Sequence, residues 1–137
     1  MPILVDTSIL LAAADAESES HLAARQLLEE TPDALVLPVT VLPEIDYLVT
    51  VRLGVRAEVA VLRGLATSAF QLEPLLDADF TRAIELVEQY ADSEIGLVDA
   101  SIVAIAERLR IRRIATLDHR HFAIFRPRHC PAFELLP

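Results

Sequence analysis

The chain has 137 residues, 53% of them hydrophobic, which is enough to bury a continuous core as a single domain, residues 1–137. Cys130 is the only cysteine, which excludes an internal disulfide framework and a thiolate metal cluster and leaves local packing as its expected role. No apolar run approaches the ~18 residues that a membrane span needs, and the N-terminus lacks the positive region of a signal peptide. We therefore expect a soluble, cytoplasmic protein.

The net charge of -9 argues at first sight against a nucleic-acid partner. However, residues 1–107 hold 19 acidic residues and 5 arginines, whereas residues 108–137 hold 7 arginines and 2 acidic residues. All the basic residues apart from histidine are arginines, which excludes a mechanism that needs lysine but allows guanidinium contacts to phosphate. With 3 glycines in the chain, neither a P-loop nor a dinucleotide-binding fingerprint is present.

The chain begins with a short apolar run, Ile3–Val5, that predicts a buried strand ending at Asp6. Further strands are expected at Ala34–Leu37, Phe70–Glu73, Arg113–Thr116 and, more weakly, Ala132–Leu135. Helices are expected at Thr7–Ala14, His21–Glu30, Pro38 to Arg52 or Leu53, Arg56–Thr67, Asp77–Tyr90 and Leu97–Leu109. Strands that alternate with helices predict an α/β fold, in which helices cover a parallel sheet of four or five strands.

Four acidic residues interrupt this apolar pattern. Asp6 follows the first strand, where it serves either as the cap of the next helix or as part of a site. Glu44 and Asp99 lie on or beside the apolar stripes of their helices, although Asp99 is also a first-turn acid that the helix dipole favours. Asp118 follows a later strand, where aspartate is also common in turns. Each position alone has an ordinary structural explanation.

In a parallel sheet, Asp6 and Asp118 leave the same edge, and the helix that carries Asp99 begins near it. Carboxylates brought so close repel one another and raise their pKa values unless a cation neutralises them. Ligands that are all oxygen favour Mg²⁺ or Mn²⁺ over zinc. Such a site suits the hydrolysis of a phosphodiester bond.

Four segments together resemble a known family. They are Ile3–Leu10 (ILVDTSIL), Val39–Glu44 (VTVLPE), Val98–Ile102 (VDASI) and Ala115–Phe122 (ATLDHRHF). In order, spacing and chain length they are similar to PIN-domain ribonucleases and, more narrowly, to the VapC toxins of bacterial toxin-antitoxin pairs. The resemblance implies a three-layer PIN-like sandwich and a Mg²⁺- or Mn²⁺-dependent endoribonuclease whose catalytic and metal-binding residues are Asp6, Glu44, Asp99 and Asp118.

The resemblance also implies partners. These are a second copy of the chain, a VapB-type antitoxin whose C-terminal segment covers the acidic groove, and a structured RNA substrate such as tRNA or ribosomal RNA. None of the three follows from composition or spacing.

Several other side chains are candidates for a supporting role. Thr7, Ser8 and Thr116 are placed either to hold water or a phosphate oxygen or simply to cap and turn the chain. The C-terminal arginines either grip RNA around Asp118 or form a solvated or dimer-facing surface; they are Arg108, Arg110, Arg112, Arg113, Arg120, Arg126 and Arg128. The histidines His119, His121 and His129 lack the helical spacing of metal ligands, so we expect packing or surface roles.

Two other classes of protein do not fit the sequence. A haloacid-dehalogenase-type phosphatase needs a second aspartate where Ser8 stands, and both this class and phosphoacceptor receiver domains need a lysine. The alternative of a different class is a catalytically silent PIN-like module that binds RNA or a partner without cutting. The complete acidic quartet favours the enzyme over the silent module.

Overall fold

The computed structural model describes residues 1–137 and contains a sheet of five strands, every neighbouring pair of which is parallel. The strands are β1 (Ile3–Val5), β2 (Leu35–Pro38), β3 (Phe70–Glu73), β4 (Arg113–Ala115) and β5 (Glu134–Leu136). The helices are α1 (Thr7–Ala14), α2 (His21–Glu30), α3 (Val41–Leu53), α4 (Val55–Leu65), α5 (Asp77–Gln89), α6 (Leu97–Leu109) and α7 (His119–Ile124), with a 3-10 turn at Ala91–Ser93. The predicted α/β class is confirmed.

The order of the strands in the sheet is β3-β2-β1-β4-β5. The chain moves outward from β1 to β3, then crosses back over the sheet to β4 on the other side of β1. Right-handed crossovers therefore place α1 to α4 on one face of the sheet and α5 and α6 on the other, which gives three layers. In such sheets ligands bind where the strand order reverses, which here is between the carboxyl ends of β1 and β4.

The core lies between the layers and contains 26 buried hydrophobic residues. All three residues of β1 are fully buried, as expected for the central strand of a covered parallel sheet. In α6, every residue from Ala100 to Ala106 is buried, so this helix is enclosed on all sides. A helix held in this way gives its first turn, which carries Asp99, a fixed position against the sheet.

Some element boundaries differ from the sequence predictions. Helix α3 begins at Val41 rather than Pro38, because β2 continues through Pro38 and Val39 pairs its backbone N–H with Glu73. Strand β5 begins two residues later than expected. Helix α7 was not predicted. None of the helices is long and apolar enough to cross a membrane.

Ion pairs connect α5 to α6. Arg82 donates two hydrogen bonds to Glu107, at 2.7 and 3.2 Å from the two carboxylate oxygens. Arg108 donates to both oxygens of the buried Asp79 at 3.0 Å and also pairs with Glu73. Because these carboxylates are largely removed from solvent, the pairs contribute to the register of the two helices.

Candidate metal centre

The site begins at Asp6, the residue that ends β1 and caps α1. The residue is 5% exposed, and its backbone N–H donates to the carbonyl of Ala115 in the neighbouring strand β4. Oδ2 accepts hydrogen bonds from the hydroxyl of Ser8 at 2.7 Å, the hydroxyl of Thr116 at 2.8 Å and the Ser8 backbone N–H at 3.4 Å. The protein donates no hydrogen bond to Oδ1, which leaves this oxygen available to a cation.

The hydroxyls of Ser8 and Thr116 connect Asp6 to the backbone after β4. Leu117 donates its N–H to the Ser8 oxygen, and Asp118 donates its N–H to the Thr116 oxygen, both at 2.9 Å. Each hydroxyl has one proton, which it donates to Asp6, and therefore uses its lone pairs as acceptors. The two hydroxyls fix the orientation of Asp6 relative to the chain that delivers Asp118.

Asp118 caps the short helix α7, and its carboxylate is bonded on both oxygens. Oδ1 accepts the backbone N–H of His121 at 3.2 Å. The imidazole of His121 donates its Nδ1–H to Oδ2 at 2.7 Å. The side chain of His121 is 39% exposed, as expected of a surface residue, but its contact with Asp118 was not predicted; its position three residues after the cap turns the ring back onto the carboxylate.

Asp99 lies in the first turn of α6, and its pKa depends on the other acidic residues of the site. Burial raises the pKa of Asp99 to about 7, and the nearby carboxylates add to the rise, in decreasing order Asp6, Asp118 and Glu44; His121 opposes it. Glu44 is in the first turn of α3, directly after the carboxyl end of β2. The structure therefore brings all four predicted acids into one neighbourhood at the switch point of the sheet.

The donor set fits a divalent cation. One ligand atom from each of Asp99, Asp118 and His121 can be chosen so that all three lie within 4.8 Å of one another. Asp6 and Glu44 are not part of this group of three, but both lie near enough to raise the pKa of Asp99. A cluster dominated by carboxylates suits Mg²⁺ or Mn²⁺.

Of the supporting residues, Ser8 and Thr116 lie in the cluster but contact Asp6 itself. The hydroxyl of Thr7 is buried and has no hydrogen-bond partner in the protein. Arg120 is exposed and, with His121, lines a polar cavity beside the cluster. His119 and His129 bond to backbone carbonyls at Thr116 and Ile111, as expected of packing residues.

The expectation that Arg112 and Arg113 assist at the site is wrong. Arg113 begins β4 and pairs with Ile3 in the sheet register, so both arginines lie at the amino end of the strands, opposite the acids. The guanidinium of Arg113 bonds to Asp33 at 2.7 Å and lies 3.6 Å from Glu134. The sequence places these arginines near Asp118 along the chain, but β4 carries them away from it.

A hydroxyl pair that sequence reasoning missed connects the helices that carry Glu44 and Asp99. Thr40, just before α3, donates to Ser101 of α6 at 2.6 Å, and Ser101 donates to the carbonyl of Val98 at 2.6 Å. Ser101 is fully buried. Its position in an apolar helix was a signal, because a buried hydroxyl needs a partner.

The family model described as the PIN domain matches residues 3–126. Ribonuclease VapC26 of Mycobacterium tuberculosis is 43% identical over 135 residues, which cover 98% of this chain and all of that protein.

Solved structures agree with these matches. VapC20 of Mycobacterium tuberculosis, described as a sarcin-ricin loop cleaving toxin, superposes with a TM-score of 0.79 at 27% identity, over 85% of this chain and 89% of that one. VapBC2 of Rickettsia felis, bound to a promoter DNA fragment, has a TM-score of 0.72 at 18% identity and is covered completely, as is this chain. A toxin-antitoxin complex from Klebsiella pneumoniae has a TM-score of 0.69 at 23% identity, over 90% of this chain and 92% of that one. At these last two identities the likeness establishes the fold alone. By its matched domain and its 43% identical relative, the chain belongs to the PIN-domain family, among the VapC-type ribonucleases.

Proposed function

We propose that this chain, as one PIN-like domain over residues 1–137, is a cytoplasmic toxin that hydrolyses phosphodiester bonds of structured RNA, of the tRNA or ribosomal RNA class, with Mg²⁺ or Mn²⁺. The observation that carries the proposal is the convergence of Asp6, Glu44, Asp99 and Asp118, whose mutual repulsion contributes to a pKa of about 7 for Asp99. Four carboxylates that lie close together at the switch point repel one another, and a bound cation would remove this repulsion.

In this proposal the four carboxylates hold the ion. When bound, a divalent ion lowers the pKa of water, orients it for in-line attack on phosphorus and neutralises charge on the leaving oxygen. Ser8 and Thr116 hold Oδ2 of Asp6, which would leave Oδ1 to bind the ion. His121 does the same for Asp118 through its bond to Oδ2.

An apolar groove supports an antitoxin partner. It has a volume of about 740 Å³ and lies between α1, α2 and α4, where it is lined mainly by Leu10, Leu28, Ala60, Val61 and Leu65. Two of the structural neighbours are toxin-antitoxin assemblies. We propose that a VapB-type antitoxin segment fills this groove, and that Ala60→Glu lowers its affinity by about tenfold or more through a charge buried in the interface.

A second apolar surface supports a homodimer. Leu76, the N-cap of α5, is followed at helical spacing by Phe80 and Ile84, and each of the three is between 44% and 48% exposed. The dimer would bury this stripe. We expect Ile84→Glu to shift the chain toward monomer in sedimentation experiments, while a dimer unaffected by the change would place the interface elsewhere.

The activity is tested with purified protein and a mixture of tRNA and ribosomal RNA. We expect cleavage with Mg²⁺ or Mn²⁺, none with EDTA, and a loss of at least about a hundredfold in Asp6→Ala and Asp99→Ala. Asp77→Ala, an exposed acid in the first turn of α5, is the matched control. Metal-dependent cutting at the parent rate by both site variants would overturn the assignment of these residues; cellular toxicity that persists in them would favour the silent module.

A further inference from the structure

A polar cavity of about 510 Å³ adjoins the acidic cluster. One wall is the turn between α5 and α6, with Asp92, Ser93 and Glu94, and the other is α7, with Arg120, His121 and Ile124. His121 belongs to both the cavity and the cluster, since its Nδ1 bonds to Asp118. A group that enters the cavity is therefore a direct neighbour of the proposed scissile phosphate. The volume lies within the range of protein sites for small ligands.

The charges of the walls argue against a phosphate as the occupant. The turn offers two carboxylates, Asp92 and Glu94, whereas α7 offers one guanidinium, Arg120, which is exposed and pairs with no carboxylate. A dianionic wall repels phosphate. It attracts a neutral group with several N–H donors on one edge and acceptors on another.

Among the four bases of RNA, guanine matches this pattern. Its Watson–Crick edge carries two adjacent donors, N1–H and the 2-amino group, which match the two oxygens of one carboxylate. Its other edge carries the acceptors O6 and N7, the usual bidentate target of arginine. Adenine, cytosine and uracil each place a donor beside an acceptor on the Watson–Crick edge, so a carboxylate satisfies them only in part.

The backbone at Glu94 is that of a helix end. Glu94 has φ of 54° and ψ of 36°, the left-handed conformation of a C-cap, at the end of the 3-10 turn. Arg110 adopts the same conformation at the end of α6, so this geometry belongs to the helix end, and it fixes the backbone from which Glu94 lines the cavity.

We propose that this cavity binds a guanine of the RNA substrate next to the cleaved bond, with one carboxylate of the wall formed by Asp92 and Glu94 on its N1–H and 2-amino group and Arg120 on its O6 and N7. The proposal rests on the proposed ribonuclease function and adds the base that the enzyme selects. It involves no residue of the acidic quartet.

The test is cleavage of an RNA library with randomised sequence, followed by sequencing of the new ends. We expect guanine to be enriched about tenfold at one position adjacent to the cut. Enrichment falls in Arg120→Gln and in the double variant Asp92→Asn with Glu94→Gln, and stays at the parent level in Arg112→Gln, an exposed arginine at the opposite edge of the sheet. A parent enzyme without guanine enrichment, or enrichment unchanged in both cavity variants, overturns the proposal.

Base analogues assign the two edges separately. Inosine lacks the 2-amino group and should slow the parent about fivefold or more but not the carboxylate variant, whereas 7-deazaguanine lacks N7 and should slow the parent but not Arg120→Gln. Equal penalties in parent and variants contradict the assignment. A parent that cuts no member of the library with Mg²⁺ or Mn²⁺ contradicts the ribonuclease function itself, so the two failures are distinguishable.

Discussion

The hydroxyl of Thr116 lies 2.8 Å from Oδ2 of Asp6, and this contact joins two residues that are 110 positions apart in the chain. Both follow central strands of the sheet, β1 and β4, which pair in parallel from Ile3 with Arg113 to Val5 with Ala115. The strand order reverses between them, so no crossover covers the gap. The contact shows how the topology builds the acidic cluster, since the pairing of two buried strands sets the separation of two side chains.

Replacing Thr116 with valine keeps its shape but removes the hydroxyl. Asp6 then loses one of its donors, and the partly buried N–H of Asp118 loses its acceptor. We expect the variant to be less stable by about 1–3 kcal/mol and to bind Mn²⁺ about 10- to 100-fold more weakly. Chemical denaturation and calorimetric titration measure the two effects separately.

Thr67→Val is the control for Thr116→Val, because its hydroxyl bonds to the Gly64 carbonyl at the exposed end of α4. It should leave Mn²⁺ affinity unchanged. If Thr116→Val bound Mn²⁺ as tightly as the parent, the hydroxyls would have no positioning role for Asp6.

Replacing His121 should weaken metal binding through Asp118. His121→Leu removes the donor to Oδ2, whereas His121→Asn can retain a donor near the position of Nδ1. We expect a loss of about tenfold or more in Mn²⁺ affinity for the leucine variant and a smaller loss for asparagine. His119→Leu, on the same helix, should bind Mn²⁺ like the parent, and equal losses at both histidines would point to damage to α7 rather than to the carboxylate.

The metal-free protein should lose stability as pH rises from about 4 to about 7. The pKa of Asp99 is about 7 in the folded chain against an ordinary value of 3.8. The folded state therefore binds more protons than the unfolded state in this interval, and the free energy of unfolding falls as the proton is lost.

Asp99→Asn tests this relationship. Since asparagine does not ionise, we expect the variant to be more stable than the parent in EDTA at pH 8, on the order of 1–2 kcal/mol after allowance for solvent screening. The difference should shrink at pH 4, where Asp99 is protonated in the folded parent. Thermal unfolding across this range measures it, and a parent whose stability rose with pH while the variant's did not would contradict the repulsion.

The Arg82–Glu107 pair should matter for stability and not for the metal. Arg82→Met leaves the Glu107 carboxylate, which is 8% exposed, without its bidentate partner between α5 and α6. We expect a loss of about 2–4 kcal/mol in the free energy of unfolding with Mn²⁺ affinity unchanged. Arg25→Met, which breaks an exposed pair with Glu29 within α2, should cost less than about 1 kcal/mol.

The fold was predictable from sequence where burial imposes a pattern. Ile3–Val5 and Leu35–Pro38 are central strands covered on both faces, so their apolar runs were visible, and α6 was visible for the same reason. Helix α7 was not, because its six residues are too few to show a period and it depends on the Asp118 cap. Strand β5 lies at the edge of the sheet, where burial is partial and the boundaries are less well defined.

The sequence predicted those parts of the site that follow from the direction of the strands. The convergence of Asp6, Asp99 and Asp118 follows from a parallel sheet. The predicted role of Arg113 at the site was wrong because Arg113 is close to Asp118 in sequence, whereas strand β4 separates the two residues in space. His121 was missed because its contact depends on how one cap turns, which spacing rules for helical metal ligands do not describe.

Calorimetric titration of Mn²⁺ into metal-free protein near pH 7.5 tests the metal site most directly, with the parent, Asp99→Asn and the exposed-acid control Asp77→Asn. We expect saturable binding by the parent and the control, and a loss of about a hundredfold or more in Asp99→Asn, because one carboxylate of the cluster no longer carries charge. Parent-like binding by Asp99→Asn, or no saturable binding by the parent, would contradict the claim that these carboxylates converge to hold a divalent cation.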